Sequence, residues 1–377
     1  MYWQLLVRSA GLPPDLREGS NDLAIYRNAG EAILRGEIPY RDFFIEYPPG
    51  SLPTFVPPAL LTSDKMGYIS LFSSEMALAL VAALLLTALA ARRIDGAWIL
   101  PAATFTAAAI MLYPVAVTRY DAVVALSLAT AVLCATLGGR YLSLAYASLG
   151  LGAAAKLVPA LATLPLATFR RGAARGYAVF LGVLALFFVP ALLLAGSGFL
   201  VSFAYHANRG LQAESLAASI LMKLGWVNEV VFQYGAFEVR GRGVELASSL
   251  SLPVTGALLL VTAFFTYREH RRGRFGVQAF PRHAAALILA FMLGSKVLSP
   301  QYVIWLLPLV PLGGIGVSAV FIAACWATTQ VFPIHYGDLV NLRSPGPDLL
   351  LVRNLLLVLL WGLLLFLPGD APNKEAS

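Results

Sequence analysis

Residues 20–50, SNDLAIYRNAGEAILRGEIPYRDFFIEYPPG, form a polar, acid-rich stretch placed ahead of an otherwise apolar chain. Ser20 or Asn21 is placed to cap a helix starting at Asp22. Leu23, Tyr26, Ala29 and Ile33 recur at helical spacing, and Gly36 fits the left-handed position just past the end. Asp22, Arg27, Glu31 and Arg35 make this helix too polar to cross a bilayer. It is expected to lie along the membrane surface, its apolar stripe toward lipid or protein. After Gly36 the run IPYRDFF reads as extended, and Tyr47-Pro48-Pro49-Gly50 as a rigid turn that returns the chain to the apolar phase. Two roles stand for the segment on local features: a catalytic loop, or an interfacial helix whose Asp22 only complements the helix dipole.

The rest of the chain explains why such a loop stands out. Of 377 residues, 59% are hydrophobic and 12% charged, with a mean hydropathy of +0.75, against roughly 25% charged in soluble domains. The expected fold is therefore all-α, a polytopic transmembrane bundle of about ten spans, read as one integral-membrane domain over residues 1–377. Cys134 and Cys325 both fall in apolar runs, which argues against a disulfide framework, and no HxxH or HExxH spacing suggests a histidine metal centre. The net charge of +7 is not a nucleic-acid footprint. Arg92, Arg93, Arg140, Arg170, Arg171, Arg175, Arg268, Arg271, Arg272, Arg274, Arg282 and Lys374 sit in alternate polar breaks and the tail, with only Asp95, Glu269, Asp370 and Glu375 beside them. That is the positive-inside pattern, and it puts residues 20–50 outside.

Met1 to Ala10 is too short to span and lacks the parts of a signal peptide, so either a first helix lies upstream of the given start, which is the favoured expectation, or the N-terminus is translocated without one. Gly50 to Thr62, with Pro53, Pro57 and Pro58, reads as a bent, partly inserted segment. Spans follow at about 68–91, 97–117 and 122–137. Between Arg140 and Arg170 both ends belong inside, and a single helix there would be about 44 Å long and finish on the wrong side. Two shorter helices meeting near Lys156 and Pro159 solve the parity and lift Lys156 toward the outer half. A span at 176–196 leads to a second outer segment, 197–246. Spans at 247–267 and 283–294, a short pair at 303–312 and 315–332, and a last span at 349–367 complete the chain.

Laid out this way, ionisable residues gather at the outer ends of separate helices: Asp22, Asp42, Glu46, Arg119, Asp121, Lys156, Arg209, Glu214 and Lys296. Charges at membrane depth are costly and usually pair or serve a function. Several cations mixed with carboxylates suit a ligand with an anionic head and a greasy tail, such as a lipid phosphate. Arg119, Lys156, Arg209 and Lys296 are the phosphate-side candidates. Other readings stay open: Arg119 pairing only with Asp121, Lys156 snorkelling, Asp121 capping its helix. His335 and Asp338 fit ordinary loop positions, although a histidine there could donate a hydrogen bond to phosphate.

The ordered set Asp22-Leu23-x-x-Tyr26, Gly36-x-x-Pro39-Tyr40-x-Asp42, Tyr47-Pro48-Pro49, Arg119-Tyr120-Asp121, Lys156-x-x-Pro159, Arg209-Gly210-x-Gln212-x-Glu214-Ser215 and Lys296-x-x-Ser299-Pro300-Gln301-Tyr302 with Trp305 resembles the GT-C superfamily. More closely it is similar to glycosyltransferase family 87, which includes polyprenol-phosphate-mannose-dependent alpha-mannosyltransferases. The resemblance implies transfer of a hexose, mannose by preference, from a polyprenyl-phosphate donor to a lipid or glycan acceptor on the outer side of the plasma membrane. It implies Asp22 as general base, with Tyr26, Tyr40, Asp42, Glu46, Tyr47, Gln301 and His335 joining the named cations, Asp121 and Glu214 around substrate. Because the phosphate leaves with its charge already present, no cofactor or divalent metal is expected. A transporter or flippase of a lipid-linked saccharide is the alternative, but it should show internal repeats, and none is seen.

Overall fold

The computed structural model describes residues 22–169, 172–273 and 275–366. The expectations placed on Ser20, Asn21, Met1 to Ala10, Arg170, Arg171, Arg274 and the tail residues Asp370, Lys374 and Glu375 lie outside these. The chain is a helical membrane bundle. Among the described residues five helices are long and apolar enough to cross a bilayer, Lys65–Ile94, Ala173–Ala195, Val244–Arg271, Ile315–Ile334 and Gly346–Phe366, and five shorter apolar helices accompany them.

The surface helix forms over Asp22–Leu34. Its stripe faces protein: Leu23, Tyr26 and Ala29 are buried, and Gly36 takes a φ of +85° just past the end. Tyr26 stacks on Phe55 with centroids 4.4 Å apart and packs against Tyr47, Phe72 and Tyr120. That cluster roots the surface helix on the first long span and on the chain entering Asp121–Leu137. Gly50, ending the Tyr-Pro-Pro turn, meets the helix Tyr141–Ala155: a Cβ there would lie 2.4 Å from the carbonyl carbon of Ala154. No side chain fits, so the loop bearing Glu46 and Tyr47 is pressed against the helix end that presents Lys156.

The break between Arg140 and Arg170 falls where parity requires it. Tyr141–Ala155 ends at an extended Lys156 (φ −159°, ψ 121°), a 3-10 turn covers Val158–Ala162, and a second helix runs Thr163–Phe169. One expectation is corrected. Residues 303–312 are not a short helix but successive 3-10 turns, Pro300–Leu306 and Val310–Gly313, because Pro300, Pro308 and Pro311 each remove a backbone donor. The segment 197–246 has secondary structure of its own. It holds helices Ser197–Asn208 and Leu216–Lys223 and an antiparallel hairpin, Val227–Gln233 with Ala236–Gly241. Tyr234 and Gly235 turn the hairpin with φ of +49° and +68°, both in the left-handed region. Its inner face, Phe237 and Val239, joins Leu211, Ala213, Val331, Tyr336 and Leu339 in a second small core.

Candidate active site

A cavity of about 390 Å³ opens where the surface-helix loop, the Lys156 break, the segment 202–214, the hairpin and the Pro300 turn converge. Asp22, Glu46, Arg119, Lys156 and Arg209 line its charged part, and Tyr302, Trp305, Phe237, Phe332 and Tyr336 supply aromatic walls.

The charges pair in a pattern that neither sequence reading of Arg119 and Asp121 anticipated. Arg119 does not pair with its near neighbour Asp121. Its Nε lies 2.5 Å from Oδ2 of Asp22, which joins the start of the surface helix to the loop before Asp121–Leu137. Asp121, almost wholly buried, instead accepts from Lys156 Nζ at 2.8 Å and from Trp305 Nε1 at 2.6 Å. The Lys156 ammonium stands 5.1 Å from the ring centroids of Tyr120, Tyr302 and Trp305, so three aromatic faces hold it at the cavity wall. Asp121 is thereby the anchor of Lys156 and not a cavity-lining group.

Arg209 differs from the other cations. It lines the cavity, and among the described residues its guanidinium makes no ion pair or side-chain hydrogen bond. Lys296 stands behind it: its Nζ donates to the carbonyls of Ala207 at 2.8 Å and Arg209 at 2.5 Å, and burial holds its ammonium below the ordinary lysine range. Gln212 binds the same two loops together, donating to Ser299 Oγ at 3.0 Å and accepting from the Leu298 amide at 2.9 Å.

The remaining expected residues divide. Glu46, Tyr47, Glu214 and Gln301 line the cavity. Burial, and then the neighbouring Asp22 charge, push the Glu46 carboxyl up from its ordinary value. Glu214 is pushed up by burial, while its Oε1 accepts from the Tyr336 hydroxyl at 2.9 Å. Tyr26, Tyr40, Asp42, Lys296 and His335 are not among the lining residues. Tyr26 is spent in the aromatic cluster, and Tyr40 donates to the Tyr47 carbonyl at 2.6 Å, shaping the loop from behind. Asp42 is turned outward onto Arg41 and the Ile38 amide, which bring its carboxyl down to about 2. His335 pairs locally with Asp338 at 2.9 Å. Residues not anticipated as site groups are His206, Tyr302, Trp305, Tyr336 and the aromatic residues of the hairpin. The valine- and phenylalanine-rich run Val227 to Phe232 before the Tyr234-Gly235 turn carries a legible strand signal.

The family model of glycosyltransferase family 87 matches residues 44–300, more than half of the chain. The chain belongs to glycosyltransferase family 87. That match takes in the Glu46–Tyr47 turn, Arg119, Lys156, Arg209, Gln212 and Glu214. Among solved structures, this family 87 chain is similar to ArnT from Cupriavidus metallidurans in the apo state. The identity is 14%, covering 92% of this chain and 72% of that one, with a TM-score of 0.49. ArnT of the same organism bound to undecaprenyl phosphate is similar at 16% identity, covering 90% of this chain and 71% of that one, with a TM-score of 0.48. No curated protein matches.

Proposed function

We propose that this membrane glycosyltransferase takes a hexose, mannose by preference, from a polyprenyl-phosphate donor and gives it to a hydroxyl of a lipid or glycan acceptor. We place the reaction on the outer face of the plasma membrane, where the arginine distribution puts the surface helix. The observation that carries the reading is that Arg209, without an ion pair among the described residues, lines one cavity with the Asp22–Arg119 pair and the caged Lys156. An anion with a sugar attached fits this set better than any neutral ligand.

In this reading Arg209 grips the donor phosphate bidentately and Lys156 adds a point charge. Asp22, oriented by Arg119 through Oδ2, takes the proton of the acceptor hydroxyl. The acceptor oxygen bonds to the anomeric carbon as the bond from that carbon to the phosphate oxygen breaks, with inversion. The phosphate departs with the electron pair, its charge met by Arg209 and Lys156. A carboxylate is a weak base for an alcohol, but it suffices when proton transfer comes late, at an electron-poor anomeric carbon. Tyr302, Trp305 and the Tyr47-Pro48 turn wall the cavity and limit hydrolysis of the donor. Transfer proceeds without a divalent cation, and residues 1–377 act as one domain.

The test is transfer of label from radiolabelled polyprenyl-phosphate mannose to a membrane lipid extract, with wild type and Arg209→Gln at equal amounts of folded protein. Label should move with wild type, persist in chelator, and fall by at least tenfold in the variant. Absence of transfer from this donor would overturn the mannose reading, and a chelator-sensitive rate would overturn metal independence.

A further inference from the structure

The last long helix, Gly346–Phe366, carries two polar residues in the middle of an apolar run, and both are fully buried. Arg353 Nη2 donates to the carbonyl of Glu214 at 2.9 Å and, more weakly, to that of Leu298 at 3.4 Å. Asn354 Nδ2 donates to Ser219 Oγ at 3.0 Å and to the Ser215 carbonyl at 3.2 Å. An ionised guanidinium inside a membrane helix is costly enough that it normally has a task. Nothing about crossing the bilayer needs this one.

Arg353 touches the two segments that carry the cavity's polar wall. Residues 207–215 bear Arg209, Gln212 and Glu214, and residues 296–302 bear Ser299, Gln301 and Tyr302. These segments are already laced by the Gln212 amide to the Lys296 carbonyl, at 2.9 Å, and by the Lys296 ammonium to Ala207 and Arg209. Arg353 closes the lacing from beneath, one guanidinium reaching a carbonyl of each. We infer that Arg353 is a positioning residue: it fixes the segment bearing Arg209 against the segment bearing Tyr302, and so sets the phosphate grip of the proposed reaction. The inference rests on that reading for its consequence. Its structural part stands alone. A glutamine amide ends short of the Nη2 position and has no charge to hold two carbonyl oxygens, and a lysine ammonium holds the nearer carbonyl better than the farther.

The experiment uses the full chain in detergent, with Arg353→Gln, Arg353→Lys and, as a control, His283→Gln. His283 is fully buried at the far side of the bundle, bonded at 2.9 Å to both Thr266 Oγ1 and Glu269 Oε2, and lines no part of the cavity. Two quantities are read: amide hydrogen exchange over 207–215 and 296–302, and binding of decaprenyl phosphate. Arg353→Gln should speed exchange in both segments about tenfold and weaken binding about tenfold, equivalent to about 1.4 kcal/mol. Arg353→Lys should lie between, loosening 296–302 more than 207–215, and it carries the test if the glutamine variant does not fold. His283→Gln should lower the melting temperature and change neither quantity.

Wild-type protection in both segments of either Arg353 variant would overturn the inference. So would loss of binding in His283→Gln in proportion to its melting temperature, since Arg353 would then matter only as general stability. If wild type fails to bind decaprenyl phosphate, the donor reading falls, and hydrogen exchange still decides whether Arg353 fixes the two segments.

Discussion

Replacing Asp22 by Asn removes one charge and one proton acceptor while keeping the side chain's shape. In the structure Asp22 begins the surface helix, lines the cavity and holds Arg119 Nε at 2.5 Å, with side-chain exposures of 20% and 10% for the pair. General-base catalysis is typically worth 10²- to 10⁴-fold, about 2.7 to 5.4 kcal/mol of barrier at 1.36 kcal/mol per decade. The stability cost should be smaller than for a fully buried pair, about 1–2 kcal/mol, because both side chains are partly exposed and the site is open to the cavity. Asp22→Asn should therefore fold, bind decaprenyl phosphate within a few-fold of wild type, and lose two or more decades of kcat. The assay is sugar transfer under saturating donor, with folded protein matched by size-exclusion profile. Glu46→Gln is the discriminating companion, since Glu46 lines the cavity too and, unlike Glu214, does not take its hydrogen bond from Tyr336. Within tenfold of wild-type kcat for Asp22→Asn, with a large loss for Glu46→Gln, would refute the assignment of the base and move it to Glu46.

Lys156→Met leaves the buried Asp121 carboxylate with Trp305 as its one side-chain donor among the described residues. It should destabilise by about 3–5 kcal/mol, and Asp121→Asn in the same chain should return part of that, as read by denaturation midpoints of the single and double variants. Gly50→Ala drives a Cβ to within 2.4 Å of the Ala154 backbone, where nothing can swing away. It should cost about 1–3 kcal/mol and lower transfer by displacing Glu46 and Tyr47; a fully stable, fully active variant would contradict the close approach. Glu214 has its carboxyl pushed up by burial, so the folded chain keeps a proton that the unfolded chain gives up once pH passes the ordinary carboxyl range. Stability from this group is intact at low pH and declines as pH rises toward the folded value. Glu214→Gln should remove that decline, and melting curves that stay parallel to wild type from pH 4 to 8 would refute it.

What the sequence makes legible here is what is local in the chain. The surface helix follows from Leu23, Tyr26 and Ala29 with Gly36 beyond, and the break at Lys156 follows from the parity of Arg140 and Arg170 together with Pro159. Both are decided within about thirty residues, the range over which periodicity and hydropathy act. Pairing is decided elsewhere. Arg119 and Asp121 are two residues apart, and proximity in sequence suggests a bond between them. At the start of a helix, however, side chains two apart diverge, and each finds a partner from another segment: Asp22 for one, Lys156 and Trp305 for the other. That Arg209 lines the cavity without an ion pair among the described residues could not be read from composition either, because it depends on which carboxylates the rest of the bundle has already taken. Arg353 was open to view in the run LLLVRNLLLVLL, where a guanidinium flanked by leucines cannot be explained by span formation. Its partners are backbone carbonyls of Glu214 and Leu298, and a carbonyl leaves no mark in sequence. In a membrane bundle the charged residues thus announce that a site exists, while their selection into grip, base and scaffold is made by three-dimensional competition for partners.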